Sequence, residues 1–130
     1  MRQKILVFGN ILVEEDRIPL KILPKLRKIF PEIDFIESDP TENLENYGEN
    51  LRIIDTALEI NQIKTLKITS EKDFEKLKTE KICSMHDFDL GYNLKLLKKM
   101  RLVDEIEIIC LPMNITEEEA LAQLQSILRK

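Results

Sequence analysis

Apolar residues along this chain come in short runs parted by turn-forming residues, and their spacing switches between that of a buried strand and that of a helix. Ile5-Leu6-Val7-Phe8 is an unbroken apolar run closed by Gly9-Asn10, which predicts a first strand buried on both faces that leaves the sheet at the glycine. From Arg17 to Phe30, Ile18, Ile22, Leu26 and Ile29 recur at helical spacing. Pro19 suits the first turn of that helix, where its missing amide hydrogen is of no consequence. Pro24 predicts a kink or a late start, and Pro31 closes the helix. Ile33-Asp34-Phe35-Ile36 then reads as a short second strand, followed by turn chemistry from Ser38 to Asn43 and a loop at Asn46-Tyr47-Gly48-Glu49-Asn50. Leu51-Arg52-Ile53-Ile54 is a third strand that runs into Asp55. Lys64 to Thr69 alternate polar with apolar, which predicts a fourth strand with a solvated side at a sheet edge.

Further along, Ser70 with Asp73 marks a helix start, and Phe74 and Leu77 supply one apolar stripe after it. Lys81-Ile82-Cys83 is strand-like and runs toward His86, and Leu90, Leu94 and Leu97 mark a helix to about Met100. Glu105 to Leu111 reads as a strand stopped by Pro112. Thr116 with Glu119 forms a capping box that opens a last helix carrying Leu121, Leu124, Ile127 and Leu128 on one face. Strands and helices alternate for most of the length, so the expected fold is α/β, a single-domain three-layer α/β/α sandwich with a largely parallel sheet. At 130 residues there is material for one domain, residues 1–130, and for one core that hides roughly two thirds of the surface an unfolded chain exposes.

Composition narrows the function classes. A net charge of -4 with Lys and Arg spread through the chain gives no electrostatic footprint for nucleic acid. No apolar run approaches membrane-spanning length, and the chain opens on a strand instead of a signal peptide, which together predict a cytoplasmic protein without membrane insertion. Cys83 and Cys110 stand far apart, each at the end of an apolar run, and read as buried thiols of a reducing compartment. Neither belongs to a CxxC pair, so a thiolate zinc site is disfavoured.

The candidate chemistry sits where strands end. In an open α/β sheet, ligands bind in the crevice outside the carboxyl ends of the strands. Three segments deliver a metal-competent side chain there: Asp16 from the acidic cluster Glu14-Glu15-Asp16, Asp55, and His86. A dinucleotide site is disfavoured, because the glycines stand only at 9, 48 and 91 and the acidic cluster would repel phosphate. There is no G-x-S-x-G and no H-E-x-x-H, and a single histidine excludes zinc sites that need two. Two carboxylates and an imidazole suit zinc, nickel or a similar divalent ion, with positions left open for substrate. Taken singly, the same residues have plainer readings: Asp16 and Asp55 as caps or dipole partners, Glu14 and Glu15 as solvated charges, His86 as a polar surface or core residue.

The run Ile5-Leu6-Val7-Phe8-Gly9-Asn10-Ile11-Leu12-Val13-Glu14-Glu15-Asp16 resembles the N-terminal signature of the nickel-iron hydrogenase maturation endopeptidases, a strand ending in Gly-Asn followed by an acidic pair. Leu51-Arg52-Ile53-Ile54-Asp55 resembles that family's strand ending in an aspartate ligand, and Ser84-Met85-His86 its third ligand segment. Pro40-Thr41-Glu42-Asn43 is similar to a Pro-x-Glu-Asn loop of members that process formate-linked or energy-converting hydrogenases. The resemblance spans essentially the whole chain in the right order. Val7 stands where the family usually has glycine, and the glycines that typically follow the acidic pair are replaced at Arg17 and Pro19, which stiffens the loop after the first strand.

What the resemblance implies is an endopeptidase that removes a C-terminal extension from a nickel-loaded hydrogenase large-subunit precursor. Asp16, Asp55 and His86 would be both the metal contacts and the catalytic set; Gly9 and Asn10 would shape the loop, Asp87 would support His86, and Glu15 would be a further supporting residue. The nickel would travel in the precursor, with zinc or cadmium able to replace it in crystals. Two other classes remain open at the level of sequence: a relative that binds metal or subunit as a chaperone without cutting, and a small-molecule-binding α/β domain.

Overall fold

The computed structural model describes residues 3–8, 17–38, 47–57, 61–70, 72–73, 98–112 and 115–129. Five strands form one sheet: β1 (Gln3–Phe8), β2 (Ile33–Ser38), β3 (Asn50–Ala57), β4 (Lys64–Ile68) and β5 (Glu105–Pro112), in the order β2-β1-β3-β5-β4. The pairs β1–β2, β1–β3 and β3–β5 are parallel, and only β4 runs antiparallel, against β5 at the edge. Its alternation is of the expected kind, with Lys64, Thr65 and Lys67 exposed and Ile68 buried.

Two helices are described, α1 (Arg17–Ile29) and α2 (Glu117–Leu128). They pack on one another and on one face of the sheet, where Ile5, Val7, Ile54, Ile109 and Leu111 meet Ile22, Leu26, Ala120, Leu124 and Leu128. The opposite face is apolar too: Leu6, Phe8, Leu51, Ile53, Ile106, Ile108 and Cys110 form a second buried cluster with Ile68 and Val103. Burial on both faces explains why the central strands read as unbroken apolar runs. It is also what a single-domain α/β sandwich requires; the elements expected between Glu71 and Leu97 lie outside the described residues, apart from the helical positions 72 and 73.

Several local expectations are met by identifiable contacts. Thr116 caps α2, its Oγ1 accepting the Glu119 amide at 3.1 Å. At the start predicted from Ser70, Asp73 Oδ2 accepts the amides of Thr69 at 2.9 Å and Ser70 at 3.3 Å, and these bonds to the ionised form hold the Asp73 carboxyl below its ordinary value. Arg52 and Glu107 face each other across β3 and β5 with Nε to Oε1 at 2.5 Å. On the α2 face, Leu124 and Leu128 are buried together with Ala120, and Leu121 and Ile127 flank them half-buried.

Three boundaries differ from expectation. The helix α1 neither starts late nor breaks at Pro24. That proline is exposed, so the carbonyl that loses its amide partner lies on the solvent side, where water can serve it. The strand β5 includes Pro112 as its last residue, opposite Ala57, a position where a missing amide hydrogen interrupts no further ladder. Finally, β3 does not end before Asp55 but carries on to Ala57, because Asp55, Thr56 and Ala57 stay in register with Cys110, Leu111 and Pro112.

Candidate active site at the carboxyl ends of the parallel strands

Asp55 lies in β3, the middle strand, in its last three residues. It is wholly buried, and its Oδ1 accepts the amide of Thr56 at 2.8 Å. Side chains alternate along a strand, and Leu51 and Ile53 belong to the cluster opposite the two helices, so Asp55 projects to that same face. Thr56, also wholly buried, points to the other.

Register places Asp55 among its neighbours. On β5 it pairs with Cys110. On β1 the last registered pair is Val7 with Ile54, so Phe8, the final residue of β1, comes level with Asp55 one step later. The chain therefore leaves β1 beside Asp55, and eight residues on, immediately after Asp16, it begins α1 at Arg17. Pro19 is buried in the first turn of α1, as its spacing predicts.

Of the residues singled out from the sequence, Asp55 is the one described. Gly9, Asn10, Glu15, Asp16, His86 and Asp87 lie outside the described residues, as do the Pro40-Thr41-Glu42-Asn43 loop and Cys83. Among the described residues no three Asp, Glu, His or Cys side chains come together as a metal site. Sequence reasoning placed Asp55 beyond its strand and so missed its flanking partners, Phe8 and Cys110. The alternation Leu51, Ile53, Asp55, followed by the β-branched Thr56, is the signal that would have found them.

A wholly buried carboxylate in a parallel sheet is chemically potent. In a site of low dielectric its charge binds a cation far more strongly than it would in water, and it can equally take up a proton. Among the described residues the opposite pole of the sheet offers no comparable buried carboxylate. A hollow of about 640 Å³ there is bordered by Gln3, Tyr47, Arg52, Lys67, Glu105 and Glu107. Arg52 pairs there with Glu107 and Lys67 with Glu105 at 3.9 Å, and Lys4 also lines it.

No family model matches the chain, and no curated protein does. Solved structures do. The NiFe hydrogenase maturation protease HybD from Thermococcus kodakarensis is 26% identical, with all of both chains covered and a TM-score of 0.66. From end to end the chain is similar to that maturation protease. The hydrogenase maturating endopeptidase HybD from Escherichia coli has the same fold at a TM-score of 0.70 and 21% identity, covering 99% of this chain and 93% of that one. An Escherichia coli endopeptidase solved in solution follows at a TM-score of 0.68 and 17% identity, with 99% and 91% covered. As a maturation endopeptidase fold, the chain shows no helix among its described residues long and apolar enough to cross a membrane.

Proposed function

We propose that this chain is a processing endopeptidase of hydrogenase maturation, which cuts a C-terminal extension from the large-subunit precursor once nickel is in place. The observation that carries this reading is the end-to-end likeness to the Thermococcus maturation protease. Asp55, buried in the central strand level with the exit of β1, agrees with it. In this reading the nickel is part of the substrate. Asp16, Asp55 and His86 would contact it there, and Glu15, Gly9, Asn10 and Asp87 would support them.

Three weak protein ligands without thiolates give such an enzyme its discrimination. They bind an ion well only when the precursor supplies the remaining donors, so a precursor without nickel is passed over. When bound, such an ion would supply Lewis-acid chemistry at the scissile carbonyl or at a water. The reaction belongs in the cytoplasm, where precursors are assembled, and the Pro40-Thr41-Glu42-Asn43 loop favours a formate-linked or energy-converting hydrogenase as the partner.

Incubation of the chain with nickel-loaded and nickel-free precursor, followed by intact-mass measurement, tests this. Loss of a C-terminal fragment in the loaded sample alone is expected, and no loss with Asp16→Asn. Equal cutting of both samples refutes nickel recognition, and protection without any change of mass makes the chain a chaperone.

A further inference from the structure

The carboxylate of Asp55 does not stand alone on its face of the sheet. Phe8 flanks it from β1 and Cys110 from β5, all three on the side away from the helices and all three wholly buried. Adjacent strands are about 4.8 Å apart, so each flanking side chain is in van der Waals reach of the carboxylate's own stem. The two flanks differ in size. On this face β5 carries Ile106, then Ile108, and then the much smaller Cys110 at the level of Asp55. On β1 the corresponding step goes the other way, from Leu6 to Phe8. The result is an uneven cradle, a bulky ring on the β1 side and a small thiol on the β5 side.

We infer that Phe8 and Cys110 are positioning residues for Asp55: the ring blocks the rotamer that leans toward β1, and the small thiol leaves the room over β5 that the carboxylate needs. The Thr56 amide fixes Oδ1 from the backbone, and the cradle fixes the side chain around it. Neither flanking residue touches substrate or metal in this account. Their apolar surfaces also keep water from the carboxylate, which strengthens its hold on a cation.

This inference rests on the proposed activity, and the test separates the two. In Cys110→Val a bulkier, branched side chain that suits a strand takes the place of the thiol beside Asp55, so the fold is kept while Asp55 is displaced. The expected result is a fall in kcat of about tenfold or more on nickel-loaded precursor, with KM within about twofold, as a sub-ångström to ångström misplacement gives. Cys110→Ala, which keeps the flank small, should retain kcat within about threefold, and a crystal structure of the Val variant should show Asp55 in a different rotamer. Should the Val variant fail to fold, Cys110→Thr has the same shape and carries the same comparison. An unchanged Asp55 rotamer together with wild-type kcat in the bulkier variant overturns the inference. A wild-type chain that leaves loaded precursor intact overturns the proposed activity instead, and the rotamer comparison then still decides whether the cradle positions Asp55.

Discussion

Replacing Asp55 by Asn distinguishes a working carboxylate from a structural one. The side chain is wholly buried, and the substitution keeps its size and the oxygen that accepts the Thr56 amide while removing the charge. Holding an ionised carboxylate out of water costs several kcal/mol unless partners offset it. If the charge is kept for function, its removal leaves the fold within about 1 kcal/mol of wild type, or more stable. If the charge is instead half of a structural ion pair, leaving the other half buried costs about 3–5 kcal/mol. For 130 residues the unfolding entropy is about 0.27 kcal/mol per kelvin, at ~2.1 cal/mol/K per residue. The two cases therefore differ as a Tm within ~4 °C of wild type against a drop of roughly 11–18 °C. We expect the first, accompanied by a loss of precursor cutting of about a hundredfold or more, in line with removal of a group that acts directly in the reaction. Differential scanning calorimetry and intact mass measure the two quantities. A Tm more than about 10 °C lower with cutting retained would refute the reasoning.

Two further outcomes test the fold around the site. Leu124→Ala empties a wholly buried position between α2 and the sheet and should cost about 2–4 kcal/mol, a Tm lower by roughly 7–15 °C; a change under about 1 kcal/mol would mean that α2 is not docked as described. Asp73 has its carboxyl lowered in the folded state, chiefly by the Thr69 amide, so its contribution is complete above the unfolded carboxyl pKa and is lost as the pH falls through the lower folded value. Urea unfolding of wild type and Asp73→Asn should accordingly show a constant gap between pH 7 and ~5 that closes below ~4, and a gap that widens on acidification would contradict the capping role.

The sheet was legible in the sequence because its central strands are buried on both faces. Ile5 to Phe8 and Ile106 to Leu111 are apolar with hardly a break, and the polar alternation of Lys64 to Ile68 marked an edge strand with a wet side. Boundaries were legible only where local chemistry sets them, as Thr116 does with its hydroxyl. At Asp55 a polar residue read as the end of a strand, whereas pairing with Cys110, a contact between residues 55 positions apart in sequence, carries β3 two residues further. At Pro24 the local rule gave way to exposure. The candidate ligands could be named from residue type and order, but which strand ends come side by side depends on which strand neighbours which, and no local pattern specifies that β1 and β5 should flank β3.

That nesting of the middle strand has a bearing on how the chain comes into being. One border of β3 is closed early by β1, but the other waits for residues 105–112. During synthesis on a ribosome, or in a chain cut short before that point, Asp55 would have water along one whole border in place of a neighbour. The buried carboxylate thus gains its second flank only after most of the polypeptide has been made, and an incomplete copy lacks the surroundings on which any chemistry at Asp55 depends.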